Sequence, residues 1–136
     1  MVESLLDMYF KCFAVEKARE VFEHLPMQNV FSWTALISGY VQHGLGAEAL
    51  KCFRHMQNVG VCPDARTYAC ALKSCGIVRS LEIGEEINAE IRKEGLLWKD
   101  IVLGNALVDM YAKCGVLAKA QEVLEELIVR NVVSWN

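Results

Sequence analysis

LLDMYFKCFAVEKAREVFEHLPMQNVFSW, residues 5–33, aligns without a gap on LVDMYAKCGVLAKAQEVLEELIVRNVVSW, residues 107–135. Counted from Ser4, 16 of 30 aligned positions are identical. The two copies are 102 residues apart, which is too long for one pair of helices and suits three. The sequence therefore predicts a chain built from repeated units, with weaker copies between these two.

The weaker copies keep one register along the chain. One small residue per unit recurs with steps of 31, 35 and 36 residues, at Ala18, Ala49, Gly84 and Ala120. Nine positions earlier stands an aromatic or apolar residue: Tyr9, Tyr40, Cys75 and Tyr111. Such a recurrence indicates one helical unit repeated about four times, with two helices expected to approach most closely at the small residue.

Each unit is predicted to contain two amphipathic helices, because its apolar residues follow the i, i+3, i+4, i+7 spacing. Helix-ending glycines separate them at Gly44, Gly60, Gly95 and Gly115. No segment alternates with the period of a strand. Since a two-helix unit cannot bury its apolar stripe alone, its neighbours must stack on it. The predicted fold is all-α, an α-solenoid of stacked helix-turn-helix repeats.

The predicted helices fall into two sets. The first helix of each unit is expected over 2–11, 31–43, 66–77 and 103–113, and the second over 15–25, 46–59, 81–95 and 117–128. The whole chain has a net charge of −3. The first helices together carry +1 and the second helices −5. Negative charge is therefore expected to concentrate in the second, outer layer.

These units resemble the pentatricopeptide repeat family, in its plant-type arrays of alternating standard, long and short motifs. Residues 30–64 resemble a standard motif, from VFSWTALISGY to GVCPD, and residues 65–100 a long motif. Residues 101–131 resemble a short motif that contains NALVDMYAKCG. Residues 1–29 are similar to a short motif without its beginning, and residues 132–136 to the start of another motif. The resemblance implies one repeat array wound as a right-handed superhelix.

In such arrays the fifth residue of a motif, on the inner face of the first helix, and the last residue, in the loop before the next unit, contact one base of single-stranded RNA. The standard motif offers Thr34 and Asp64, a combination that implies guanine. The short motif offers Asn105 and Asn131, which implies a pyrimidine with cytosine favoured. Replacing Thr34 by asparagine while Asp64 is kept should shift the preference from guanine toward uracil.

The other predicted RNA contacts follow from the same resemblance. The long motif offers Ala69 and Asp100, and little discrimination is expected there because alanine cannot form a hydrogen bond. Asn136 would be the fifth residue of the next unit. The second residue of each motif is expected to flank the base, by stacking or as a wedge: Phe31, Arg66 and Val102.

Simpler interpretations of these residues stay open. Asp64 could simply be the N-cap of the following helix, and Thr34 and Asn105 could be solvated or capping residues. Trp33 and Trp135 precede the base-contacting position and recur at helical spacing. Core packing is therefore predicted for both tryptophans, rather than stacking on RNA.

Other chemistry finds no support in the sequence. The three histidines, His24, His43 and His55, lack the glutamate two residues later that a zinc deaminase requires. No Gly-rich phosphate loop is present. The six cysteines form no C-x-x-C pair and are predicted to be structural thiols. The chain is therefore predicted not to be an enzyme and to use no cofactor, metal or small-molecule substrate.

No targeting or membrane segment is predicted. The apolar runs are shorter than the ~18–20 residues that cross a bilayer, and MVESLLDMYFKC lacks a cationic leader region. No membrane partner is therefore expected. The sequence is expected to be a fragment cut through a unit at both ends, with any organelle address outside it.

The resemblance implies a function in RNA recognition. The expected partner is single-stranded RNA of a mitochondrion or chloroplast, bound with one repeat per base. The expected role is the recognition part of a C-to-U editing or other RNA-processing factor, with a deaminase or another editing factor as a further partner. The alternative is a protein-interaction scaffold, because stacked helical hairpins also form grooves for peptides and this chain is acidic.

Overall fold

The structure, a computed structural model, describes residues 8, 15–25, 28–97 and 99–135, with side chains as far as residue 130. Those residues form helices and connecting turns and contain no strand. The helices are α1 (Val15–Glu23), α2 (Val30–Gln42), α3 (Gly46–Asn58), α4 (Ala65–Val78), α5 (Leu81–Lys93), α6 (Ile101–Lys113) and α7 (Leu117–Trp135). The all-α prediction is confirmed for this part of the chain.

The helices form two layers. The first helices, α2, α4 and α6, make the inner layer and contact one another directly from unit to unit. The second helices, α1, α3, α5 and α7, make the outer layer. Among the described residues, their backbones approach inner helices and not one another. This is the predicted α-solenoid, with its closest packing on the inner side.

The small residue of each unit lies where the two layers are closest. Ala18 and Ala49 are completely buried. At Gly84 an added Cβ atom would lie 2.5 Å from the sulfur of Met110, so a larger residue would require the Met110 side chain to move. The close approach predicted from the repeat register is confirmed at these positions.

The recurring tyrosine anchors α2 and α6 to the outer layer. The rings of Tyr40 and Tyr111 are buried, and Tyr9 lies outside the described residues. The Tyr111 hydroxyl donates to Glu85 and accepts from the Asn88 amide, both at 3.0 Å. Burial, with the Glu85 carboxylate nearby, raises the pKa of Tyr111 to about 12. The phenol therefore stays protonated and can donate at neutral pH.

Ion pairs connect the outer helices of neighbouring units. Arg54 of α3 reaches Glu86 at 2.7 Å and Glu90 at 3.2 Å, both on α5. Other pairs join α1 to α3 and α5 to α7: Arg19–Glu48, Arg92–Glu126 and Lys119–Glu85. Each is partly exposed, so each contributes about 1 kcal/mol or less. Part of the acid excess predicted for this layer thus serves contacts between units.

Trp33 belongs to the core, as predicted. Its ring is buried and meets Phe22 edge-on, with 4.6 Å between ring centroids. His55 packs against it at 5.3 Å. Trp33 therefore packs motif 30–64 against the preceding unit and is not available for stacking on RNA. The side chain of Trp135 lies outside the described residues.

The helix bounds agree with prediction to within two residues, except at the end of α7. This helix was predicted to end at residue 128, before a new motif that begins at residue 132. In the structure, α7 continues without a break to Trp135. The reason is local, because no glycine or proline stands between Leu117 and Asn136 to stop it. The predicted helix over 2–11 falls outside the described residues, apart from residue 8.

A residue with a positive φ angle, the left-handed backbone conformation, follows each of the helices α2 to α6. The four predicted helix-ending glycines all have positive φ angles. Arg79 takes this role after α4, with φ 56° and ψ 43°, although it carries a side chain. The left-handed conformation costs a non-glycine residue about 1–2 kcal/mol. Arg79 is therefore a locally unfavourable residue in the stack.

We expect Arg79→Gly to raise the free energy of unfolding by about 0.5–1 kcal/mol, because the strain relieved exceeds the extra chain entropy that glycine loses. Urea unfolding followed by circular dichroism measures the change. Arg79→Ala is the matched control, since it removes the long side chain and keeps Cβ. Alanine should change stability by less than about 0.5 kcal/mol. An equal gain with alanine would contradict the explanation.

Candidate nucleic-acid interface

The inner helices expose one narrow strip each. In α4, residues 67–72 and 74–76 are buried, and Arg66 and Lys73 stand on the exposed side, seven residues apart. The second residue of each of the three motifs within 30–131 lies on this strip, with Phe31 62% and Val102 56% exposed. The three predicted base-flanking side chains therefore share one accessible face, here called the inner strip.

The inner strip is positively charged at its middle helix. Arg66 and Lys73 form no ion pair with the described residues, so their charges face solvent. On α6, Lys113 is paired at 3.1 Å with Asp109, one helical turn earlier. The helix α2 carries no charged residue. A strand of phosphates would therefore find its favourable electrostatic contacts along α4.

The last residue of the motifs 1–29, 30–64 and 65–100 is a helix N-cap. The Asp64 side chain accepts from the Thr67 backbone N–H at 3.0 Å, and Asp100 accepts from Val102 N–H at 2.9 Å. Asn29 caps α2 in the same way, through Ser32. The capping interpretation of Asp64 is confirmed. Capping also fixes the direction of these side chains at the edge of the inner layer.

The fifth and the last residue of motif 30–64 are connected through Thr67 at the junction of α2 and α4. The Thr34 hydroxyl lies 2.8 Å from the Thr67 hydroxyl, which in turn donates to Asp64 Oδ1 at 2.8 Å. Every hydrogen bond that the Asp64 side chain accepts within the described part goes to Oδ1. We call Thr34, Thr67 and Asp64 the hydroxyl junction. Asp64 is its exposed member.

The fifth residue was expected to be exposed on the inner face, but in the motifs 30–64 and 65–100 it is buried. Thr34 is 4% and Ala69 5% exposed, because the next inner helix covers each of them. Asn105 is exposed, since no inner helix follows α6 among the described residues. It lines a groove of about 460 Å³ together with Asp100 and the apolar face of α7. The fifth residue therefore belongs to the junction between units.

Two other predicted contacts differ from expectation or fall outside the structure. Asn131 was expected in a loop after the short motif, but its backbone lies within α7. The loop placement is wrong for the reason given above, the lack of a helix stop. The Asn131 side chain and all of Asn136 lie outside what the structure describes. The base contact of the pair Asn105 and Asn131 stays a prediction.

Thr67 is the member of the junction that the sequence analysis missed. It is the third residue of its motif and is completely buried. Its signal in the sequence is the D-x-x-T spacing from Asp64, which is typical of a capping box and predicts the contact with Asp64. The contact with Thr34 could not be predicted, because those two residues lie 33 positions apart.

The cysteines behave as structural thiols at three positions. Cys52, Cys70 and Cys75 are buried. Burial raises the pKa of Cys52 to about 11 and that of Cys75 to about 12, so both thiols stay protonated at neutral pH. Cys62 departs from the prediction because it is exposed. The described residues contain no group of three or more potential metal ligands.

None of the helices among the described residues combines the length and the apolar character that crossing a bilayer requires.

Comparisons with known proteins agree on one family. The sequence profile of the PPR repeat family matches residues 28–76, and that of the PPR repeat matches residues 105–132. Pentatricopeptide repeat-containing protein At2g01510 of Arabidopsis thaliana is 46% identical over 98% of this chain. At3g11460, a mitochondrial relative from the same plant, is 37% identical over 99%. The chain spans 16% and 22% of these two relatives.

Solved structures show the same fold. The pentatricopeptide repeat protein PPR10, in complex with an 18-nt psaJ RNA element, matches with a TM-score of 0.75 at 20% identity. PPR10 from maize matches with a TM-score of 0.70 at 23% identity. These matches cover 96% and 97% of this chain and about a fifth of PPR10. By its repeat profile, its relatives and its two-layer solenoid, the chain belongs to the pentatricopeptide repeat family.

Proposed function

We propose that this chain binds single-stranded RNA sequence-specifically, with one unit per base. The proposed role is the recognition part of a C-to-U editing or other RNA-processing factor in a mitochondrion or chloroplast. A deaminase or another editing factor is the proposed protein partner. The observation that carries the RNA proposal is the hydroxyl junction, which joins the fifth and the last residue of one motif beside the inner strip. The PPR10 structure in complex with RNA supports it.

Hydrogen-bond chemistry makes guanine the preferred base at the hydroxyl junction. The exposed end of the Asp64 carboxylate can only accept hydrogen bonds. The Watson–Crick edge of guanine presents two adjacent N–H donors, whereas adenine and cytosine each place an acceptor beside their donor. Base edges of this kind are accessible in single strands. Phe31, exposed on the same strip, offers a ring on which such a base can stack.

The short motif offers a different chemistry. The amide of Asn105 has both a donor and an acceptor, which suits the mixed edge of cytosine. Asn105 lies in the groove with Asp100, which caps α6. Its partner in the proposal is Asn131. The long motif, with buried Ala69 as its fifth residue, should accept any base at the Asp100 position.

The test is selection of bound RNAs from a random single-stranded pool, with the chain and with its Thr34→Asn variant. We expect the selected RNAs to contain guanine at one position for the chain. Asparagine with aspartate is the combination that the family resemblance assigns to uracil, so uracil should replace guanine at that position by about tenfold. The nucleotide assigned to Asn105 should stay the same.

Two outcomes would overturn parts of this proposal. Selected RNAs without any position of base preference would contradict sequence-specific binding. A guanine preference that is unchanged in Thr34→Asn would contradict the assignment of Thr34 and Asp64 to that base. Binding should also weaken with salt, by a slope of about 0.7 per phosphate neutralised.

A groove on the outer side favours the alternative function, a protein-interaction scaffold. It has a volume of about 510 Å³ and lies between α3 and α5, where its apolar lining includes Leu50, Val78 and Ile83. A peptide could occupy such a groove while RNA occupies the inner strip. Protein partners recovered by pull-down that compete with RNA would show that the two functions use one surface.

A further inference from the structure

We propose that Thr67 determines base specificity at the hydroxyl junction, although it is neither the fifth nor the last residue of a motif. This inference rests on the proposed RNA-binding function. It concerns the residue that connects Thr34 to Asp64. Thr67 would act as a positioning residue, because it is buried and cannot touch the base itself.

The hydroxyl groups of Thr34 and Thr67 share their two protons among three contacts. The Thr34 hydroxyl lies 2.6 Å from the carbonyl oxygen of Val30, which can only accept. The Thr67 hydroxyl lies 2.8 Å from both Thr34 and Asp64. These three contacts share two hydroxyl protons. Since Thr67 donates its proton to Asp64, the Thr34 proton goes either to Val30 or to Thr67, so Thr67 couples the two predicted base-contacting residues.

Thr67 also orients the carboxylate of Asp64. Oδ1 accepts from the backbone N–H and the hydroxyl of Thr67, at 3.0 and 2.8 Å. Asp64 in return donates its backbone N–H to that hydroxyl at 3.3 Å. These contacts hold one carboxylate oxygen against the helix and leave the other as a pure acceptor at the exposed edge. Thr67 thus fixes the atom that would select guanine.

The next junction in the chain, between α4 and α6, lacks these hydroxyl groups. Ala69 and Leu103 occupy the positions in the next junction that Thr34 and Thr67 occupy here. Both positions change together from hydroxyl-bearing to apolar, so that neither leaves a buried polar group unpaired. Asp100 accepts there only from a backbone N–H in the described structure. The coupling is therefore a property of the Thr34 junction.

The experiment measures RNA affinity for four RNAs that differ only at the nucleotide assigned to Thr34 and Asp64. Thr67→Val keeps the shape of the side chain and removes the hydroxyl. We expect it to reduce the preference for guanine by about fivefold or more, since the lost hydrogen bond is to a charged group. Thr67→Ser, which keeps the hydroxyl, should retain the preference. The preference at the nucleotide assigned to Asn105 should not change.

Ser74→Ala is the matched control. Ser74 is equally buried on the same helix, and its hydroxyl donates to Cys70 O at 2.9 Å, away from the junction. Its loss should leave both preferences unchanged. If Ser74→Ala lowers the guanine preference as much as Thr67→Val does, the effect of Thr67 is structural and the inference is wrong. Thr67→Val with an unchanged preference would overturn the inference outright.

A double variant covers the case in which Thr67→Val does not fold. Thr34→Ala with Thr67→Leu copies the apolar pair that the chain already uses at positions 69 and 103. We expect this variant to fold, bind RNA and show no preference at that nucleotide. Retained guanine preference would overturn the inference. If the unsubstituted chain shows no preference there, the proposed base assignment itself fails, and the inference with it.

Discussion

Replacing Asp64 by asparagine is expected to move the base preference at one nucleotide from guanine to adenine, by about tenfold or more. Asparagine keeps the oxygen that accepts from Thr67, so the cap on α4 is preserved. Its exposed end becomes an NH₂ donor, which opposes the donors of guanine and pairs with the N1 acceptor of adenine. Affinities for four RNAs that differ at this nucleotide measure the shift.

The same substitution at Asp100 is the control for this effect. Asp100 also caps an inner helix, but its junction has Ala69 in place of Thr34 and no hydroxyl at position 103. We expect Asp100→Asn to change base preference much less than Asp64→Asn does. Since asparagine is as good an N-cap as aspartate, the free energy of unfolding of both variants should lie within about 0.5 kcal/mol of that of the original chain. A guanine preference that survives Asp64→Asn would exclude Asp64 from base contact.

Truncation of Phe53 to alanine is expected to lower the free energy of unfolding by about 3–5 kcal/mol. Phe53 is completely buried on α3, and its ring meets Tyr68 of α4 edge-on, with 5.7 Å between centroids. The substitution leaves a cavity between two consecutive units. Urea unfolding followed by far-ultraviolet circular dichroism measures the loss, which is a large part of the ~5–15 kcal/mol that stabilises an ordinary domain.

Phe31→Ala is the matched control for Phe53→Ala, because the same side chain is removed from an exposed position. We expect it to change stability by less than about 0.5 kcal/mol. If Phe31 stacks on a base, RNA affinity should fall by about 1–3 kcal/mol. A loss of stability in Phe31→Ala as large as in Phe53→Ala would show that the assignment of core and inner strip is wrong.

The repeat register predicted most of the fold. Ala18, Ala49 and Gly84 were expected at the closest approach of the helices, and they are buried there. The register succeeded because apolar periodicity directly reflects which side of a helix is buried. It did not predict the end of α7, because the comparison with residues 5–33 placed a break at a point where no glycine or proline enforces one.

The candidate site was predictable only in part. The exposure of Phe31 and Val102 was expected from their place at the second position of a motif. The burial of Thr34 was not, because a sequence gives the face of a helix and not the neighbour that covers it. The N-cap role of Asp64 was open in the sequence, since the residue types that cap helices also contact bases.

By itself, the sequence determined that this chain is a stack of two-helix units, and which face of each helix enters the core. Spacing carries that information because helical geometry is local. Only the tertiary structure decided that Thr34 lies under the next unit and meets Thr67, 33 residues later. A hydrogen bond between side chains of different units depends on how closely α2 and α4 pack, and no local pattern in the sequence determines that distance.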